Sequence, residues 1–268
     1  MPTMSTPHCA DEAGKHRNRR ASAGTQRVLL LLGWTLLAAP ATAQDPTPWL
    51  EMTVVQVDPA RVGEFLAAQR EISTLDEEAG VPWRSVGRTA VFGDTYRFVI
   101  TTPLASFAQL DRAVDEGARA GIVGRIRNVI TSRATYAVRT APTLDNPLPE
   151  GETPALMLVQ IVSIAPGREQ EYLRVMSEDV LPHFDEAEMH HTTGALTFGG
   201  EGGYVHVFHV ENFAALDQGS PLARALGAPA ALEVMAKLAG VVTRSEQWLV
   251  RYLPDVSFRP EVEAEERP

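Results

Sequence analysis

Apolar and polar positions alternate along this chain in two rhythms, and the two rhythms take turns. Leu50 to Val57 and Leu156 to Ile164 are β-branched and apolar with a partial period of two, which predicts strands. Pro59 and Pro166 follow, each where the first turn of a helix tolerates a missing N–H. Val62, Phe65, Leu66, Gln69, Ile72 and Leu75 then recur at spacings of three and four, a one-sided stripe that predicts a helix. Tyr172, Met176 and Val180 repeat it, with Pro182 expected to end the element. Turns at Gly93-Asp94 and at Gly199 to Gly203 predict hairpins. The return strands alternate Tyr96, Phe98 and Ile100 against Arg97, Val99 and Thr101, and Tyr204, His206 and Phe208 against Val205, Val207 and His209. Ser220-Pro221 reads as a cap and first helical residue, with Leu222, Leu226, Leu232, Met235 and Leu238 on the apolar side. In the first half, Gly117, Gly121 and Gly124 predict a shorter or broken counterpart. Last strands are expected near Val129 to Arg139 and Val241 to Tyr252.

The two halves of this pattern match residue by residue. Pro59, Arg61, Glu64, Phe65 and Leu66 recur as Pro166, Arg168, Glu171, Tyr172 and Leu173. Phe92-Gly93 recurs as Phe198-Gly199, and Tyr96 reads as the counterpart of Tyr204. Phe107, Leu110 and Asp111 recur as Phe213, Leu216 and Asp217, and Tyr136, Arg139 and Pro142 as Trp248, Arg251 and Pro254. The expected fold is therefore α+β, two tandem ferredoxin-like βαββαβ repeats at 49–141 and 155–255. The stretch 142–154, rich in Pro and Glu, is expected to be a linker, and 256–268 a disordered acidic tail. Each sheet would carry helices on one face, and the two bare faces would cover each other.

This pattern resembles the dimeric α/β-barrel superfamily, which includes antibiotic-biosynthesis-type monooxygenases, stress-responsive barrel proteins and NIPSNAP-like proteins. The resemblance spans residues 49 to 255 and rests on topology and on the proline–arginine helix entry. Pro221 to Gly227 and Val250 to Asp255 are also similar to segments of exported bacterial proteins. Single-copy members form their barrel as homodimers, so the resemblance implies a pseudo-dimeric barrel within one chain, monomeric or itself paired. It implies an exported small-ligand-binding or stress-associated protein. The alternatives are a cofactor-independent monooxygenase acting on an aromatic substrate, a haem-dependent oxidoreductase, and a scaffold for a partner protein. It carries no catalytic residue across, so whether the chain is an enzyme stays open.

The first 43 residues change the accounting. Arg17, Arg19, Arg20 and Arg27 precede the apolar run Val28 to Ala39, then Pro40 and the small residues Ala41-Thr42-Ala43. This is the layout of a cleaved signal peptide, and its apolar run is shorter than the about 20 residues a membrane span needs. The expected location is periplasmic or extracellular, with no stable membrane insertion. Arg19-Arg20 matches the start of a twin-arginine signal, while Ala21, Ser22 and Ala23 do not continue it. The whole chain carries a formal charge of −10, and removing this segment with its five Lys/Arg and two Asp/Glu makes the remainder more acidic still. An acidic body repels phosphate backbones, so no nucleic-acid partner is expected. Cys9, the only cysteine, departs with the segment, which excludes disulfides and thiolate ligands.

Candidate chemistry concentrates in the second half, where His183, His190, His191, His206 and His209 fall within 27 residues. Adjacent histidines on a strand point to opposite faces, and no H-E-x-x-H spacing occurs, so no metal site is expected, with His191 and His209 its two candidates. His190 and His191 read as solvent-facing at a strand start, and His206 as a satisfied core residue. No resident cofactor is expected. Haem is the one considered, because haem-handling relatives place a histidine against their cavity, which singles out His209, with Thr101 as its first-half counterpart. Arg97, Arg139 and Arg251 are candidates to clamp an anion inside the barrel. Trp248 and Tyr204, with Trp83, Tyr96 and Phe198, are candidates for an apolar pocket. The expected partner is a small apolar or anionic ligand.

Overall fold

The computed structural model describes residues 49–111, 116–149 and 151–259. The expected signal segment lies outside them. The first half runs β1 (Trp49–Val57), α1 (Val62–Glu78), β2 (Ser85–Thr89), β3 (Arg97–Leu104), α2 (Ala108–Asp111), α3 (Glu116–Ile126) and β4 (Ile130–Thr140). The second runs β5 (Leu156–Ile164), α4 (Glu169–Val175), α5 (Leu181–Glu186), β6 (His191–Phe198), β7 (Gly203–Val210), α6 (Pro221–Leu226), α7 (Ala228–Lys237) and β8 (Val242–Tyr252). The eight strands form one closed, wholly antiparallel barrel in the order β1-β3-β2-β8-β5-β7-β6-β4, with β4 pairing back onto β1.

Both faces of the barrel wall are apolar, which is why the strands read as near-continuous hydrophobic runs. Odd positions of β1 such as Val55 and Val57 pack outward on Phe65, Ala68 and Ile72 of α1. In the second half Val162, Tyr204 and Phe208 pack outward on Tyr172, Val175 and Phe184. The other strand face points into the lumen, where Met52, Val99 and Val138 of the first half meet Val159, Val205 and Trp248 of the second in one cluster. The expected mutual covering of the two bare sheet faces is what this shared cluster achieves.

The barrel closes at two seams, β2 with β8 and β4 with β6, and the seams are built alike. Gly87 faces Tyr252 and Thr89 faces Val250 at one; Gly194 faces Thr140 and Leu196 faces Val138 at the other. A Cβ on Gly87 would stand 2.2 Å from Val250 Cγ1, and a Cβ on Gly194 would stand 2.2 Å from Val138 Cγ1. Each glycine thus gives its space to a valine from the opposite half, and no larger residue fits.

Four expectations need correcting. Gln56 pairs with Arg97 and Ser163 with Gly203, so Tyr204 corresponds to Phe98, not Tyr96, and His209 to Pro103, not Thr101. The aromatic pairs agree, with Phe65–Phe98 ring centroids at 4.7 Å and Tyr172–Tyr204 at 5.0 Å. Secondly, the expected linker begins as a docked strap. Pro142–Leu144 forms a 3-10 turn, Leu144 is buried, and Asn146 bridges to His191. Its counterpart is the start of the expected tail. Pro254–Val256 repeats the turn, Val256 is buried, Phe258 bridges to Arg84, and Ser73 Oγ donates to Val256 O at 2.7 Å. Each strap crosses to the other half. The remainder of the expected tail, 260–268, lies outside the described residues.

Thirdly, Pro182 does not end its helix. A π turn at Met176–Val180 widens the backbone just before it, which relieves the clash of the ring with the preceding turn, and α5 continues. Fourthly, Gly227, at φ 78°, breaks the second-half helix into α6 and α7. The break rotates α7 so that Ala231 and Val234 are buried while Leu232 and Met235 are exposed. In the first half α2 and α3 are described on either side of residues 112–115, so the expected break there lies outside the described residues.

The seams predict a contrast. Gly194→Val should destabilise the fold by at least about 2 kcal/mol, the overpacking range, in urea unfolding. Gly63→Ala in α1, whose Cβ would meet nothing within 4 Å, should be neutral or stabilising by up to about 1 kcal/mol. Equal small effects would contradict the seam geometry.

Candidate functional site: the barrel lumen

Strand parity sorts the candidate residues. Arg97, Trp248 and His209 point into the lumen, in register with Val99, Val159 and Met157. Arg139 and Arg251 are exposed on the outward face, and Arg251 stands over the Phe213 ring at 5.6 Å. Neither can clamp an anion inside the barrel. Tyr204 also faces outward, where its hydroxyl donates to Glu169 Oε1 at 2.8 Å, and burial pushes its pKa up. Phe198 is exposed, its ring centroid 5.7 Å from that of Phe107, and Tyr96 lies beneath the Arg88 guanidinium. Tyr204, Phe198 and Tyr96 thus make their contacts apart from Trp248.

His191 is not solvent-facing. It is almost fully buried on the outward face, with Nδ1 3.0 Å from Met189 O and Nε2 2.9 Å from Leu144 O. Beside it the Tyr172 hydroxyl lies 2.7 Å from His206 Nε2, and His206 Nδ1 lies 3.0 Å from Thr193 Oγ1, which donates to Leu144 O. Burial lowers the His206 pKa to about 3, so its ring is neutral. A neutral ring protonated on Nδ1 completes the chain: tyrosine donates to imidazole, imidazole to threonine, threonine to carbonyl. His206 is the satisfied core residue expected. The network latches the Leu144 strap onto the second half. In the first half the same place holds Arg84, donating to Asp76 at 2.9 Å and Gln69 at 2.6 Å.

The lumen is the opposite case. Among the described residues five buried side-chain polar atoms have no hydrogen-bond partner on the protein: Arg84 Nε, Thr89 Oγ1, His190 Nδ1, His209 Nδ1 and Trp248 Nε1. The last four belong to lumen-facing positions on a continuous arc of the wall, from β2 through β8 and β5 to β7 and the start of β6. His209 N donates to His190 O, so the two imidazoles stand opposite each other on one face at one mouth of the barrel. Burial lowers the His209 pKa to about 4, with His190, Arg259 and His191 adding to the shift. At the other side of this arc the Arg97 guanidinium lies over the Trp248 ring at 5.3 Å. Buried polar atoms are nearly always satisfied, and each orphan costs about 1–3 kcal/mol. Four on one apolar surface therefore mark it as a surface that meets something polar.

His191 and His209 face opposite sides of the wall and cannot share a metal ion. Among the described residues no group of three or more His, Cys, Asp or Glu is placed to hold one. For haem, the lumen face beside His209 carries its cross-strand neighbour Met157, and Val250 beyond it is fully buried. Outward, His206 and His191 are enclosed by Tyr172, Phe184 and Phe208 at ring-centroid distances of 5.2–6.3 Å.

The sequence reading missed Thr89 and the pairing of His190 with His209. The pairing follows from the hairpin register, which sets His191 against Phe208, and the five-residue glycine turn leaves that register ambiguous.

No family model and no curated protein matches this sequence. Solved structures do match in fold. A candidate monooxygenase from Fusobacterium nucleatum subsp. nucleatum superposes with a TM-score of 0.56 at 10% identity, over 77% of this chain and 93% of that one. An anthrone oxidase-like protein gives 0.54 at 12% identity, over 78% and 92%. A mutant chlorite dismutase from Candidatus Nitrospira defluvii gives 0.51 at 10% identity, over 79% and 94%. The likeness is one of α+β barrel architecture.

The buried imidazoles set a pH dependence. Histidines in the unfolded chain take their proton near pH 6.5, whereas His206 and His209 in the folded chain do so near 3 and 4. Between these values the unfolded chain binds more protons, so stability falls on acidification. Asp145, raised to about 6 chiefly by burial, works the other way between pH 6 and its ordinary 3.8. Two imidazoles outweigh one carboxyl, so the melting temperature should drop steadily from pH 6.5 to 4.5, and His209→Gln should flatten the slope. A melting temperature constant or rising over that window would contradict the assignment.

Proposed function

We propose that this barrel, which shares its architecture with those structures, is an exported protein that binds a small molecule at the His209 mouth of its lumen, and that it arose as two tandem ferredoxin-like repeats. The matched seams, matched straps and matched aromatic pairs support the repeat reading. The signal-like pattern of the first 43 residues supports export. The observation that carries the binding reading is the arc of four orphan polar atoms on an otherwise apolar lumen wall. A pocket of this make-up, mostly apolar with a few convergent polar groups, suits a small ligand.

The packing also limits the ligand. Val138, Val159, Val205 and Val250 fill the middle of the lumen, so the ligand is of single-ring size and enters at the mouth. His209, neutral at pH 7, can donate or accept a hydrogen bond. With its pKa near 4 it is a poor general base, since a base works best with a pKa near the operating pH. Binding is therefore favoured over a proton-abstracting reaction.

The test uses phenol, a single apolar ring with one hydroxyl, followed by ¹⁵N NMR of the tryptophan indoles. Titration should shift the Trp248 indole N–H saturably and leave that of Trp83 in place. His209→Ala should weaken the binding by about tenfold, the value of one hydrogen bond whose partner is left buried. No shift, or unchanged binding in His209→Ala, would overturn the reading.

A further inference from the structure

On the outward face of one barrel seam, arginines gather without an ion-pair partner among the described residues. Arg88 of β2 and Arg251 of β8 stand directly opposite each other across a barrel seam, on the outward face. Like charges in this position repel, and strand pairs normally avoid them. Neither they nor Arg259 has an ion-pair partner among the described residues, although the chain as a whole has a formal charge of −10. Arg88 and Arg251 are instead stacked on aromatic faces, with guanidinium-to-centroid distances of 5.9 Å to Tyr96 and 5.6 Å to Phe213. A stacked guanidinium keeps its N–H edge free for an oxyanion.

Arg251 and Arg259 both line a cleft of about 550 Å³ between the end of β8, the segment before β5 and the 254–259 strap. Its walls include Tyr252, Phe258 and Pro154, which give it an apolar lining. We infer that this cleft binds a small aromatic acid, its carboxylate or phosphate held by Arg251 and Arg259 and its ring against Tyr252 and Phe258. Bidentate arginine contacts recognise either oxyanion. The inference stands on the arginines and the cleft, independently of the lumen reading.

Isothermal titration with benzoate, phenyl phosphate and the uncharged benzyl alcohol tests it. Saturable binding of benzoate or phenyl phosphate is expected, with benzyl alcohol at least about tenfold weaker, and the stronger anion identifies the oxyanion class. The double variant Arg251→Ala/Arg259→Ala should lose about tenfold or more, and Arg174→Ala, on the exposed face of α4, should lose nothing. Should the alanine variant fail to fold, Arg251→Lys/Arg259→Lys keeps the charge without the fork and should bind more weakly than the parent. Phenol should still shift the Trp248 indole N–H in the folded Arg251→Ala/Arg259→Ala variant, which separates this cleft from the lumen. Equal binding of all three probes, no binding of either anion, or full binding by the folded double variant would overturn the proposal. So would anion binding that appears only after removal of residues 260–268, which would assign the arginines to the chain's own carboxylates.

Discussion

Everything in this fold follows from a sheet surface that cannot be left wet. A βαββαβ unit covers one face of its sheet with helices, and its other face, here Met52, Val99 and Val138 or Val159, Val205 and Trp248, is as apolar as the first. Burying a side chain of this size contributes about 1.5–3 kcal/mol, so exposing either set would cost an amount comparable to a domain's usual net stability. Closing the two sheets into one barrel solves this for both at once. Closure demands that strands of different halves approach at two seams, and Gly87 and Gly194 supply the space. The straps at 142–146 and 254–258 then tie each half to the other's first helix layer and strand edge.

Against that near-symmetric frame the differences between the halves acquire meaning. Arg84 with Asp76 and Gln69 in one half, and Tyr172, His206 and Thr193 in the other, are two chemical answers to one structural task, each tied by direct side-chain hydrogen bonds. The lumen polar atoms have no such answer within the protein. His209 stands where the first half has Pro103, and Trp248 where it has Tyr136, so the polar arc belongs largely to one half. A feature that breaks the symmetry and leaves buried polar atoms unpaired is not required by the architecture, which points to binding.

Much of this architecture was legible in the chain. The helix stripe from Val62 to Leu75 and the proline–arginine entries set local structure by periodicity and by backbone stereochemistry, and both act over a few residues. Strand register is different, because it depends on how a loop closes. The matching of Tyr96 with Tyr204 failed for that reason, since the two hairpin turns differ in length and shifted the true partner to Phe98. The straps were misread because they adjoin stretches rich in Pro and Glu, 142–154 and 256–268, while one buried residue in each, Leu144 or Val256, provides the anchoring. Of the site, His209, Arg97 and Trp248 were found by residue type. Arg139, Arg251 and Tyr204 were excluded only by strand parity, and Thr89 carries no signal until its hydroxyl is seen without a partner.

The central claim is that two halves of one chain share a single core, and differential scanning calorimetry of the protein tests it most directly. A shared lumen predicts one transition whose van't Hoff and calorimetric enthalpies agree for the whole 49–259 region, at a midpoint independent of protein concentration. Two separable transitions, or a midpoint that rises with concentration, would mean that the halves keep their own cores or borrow another chain's, and would contradict the account.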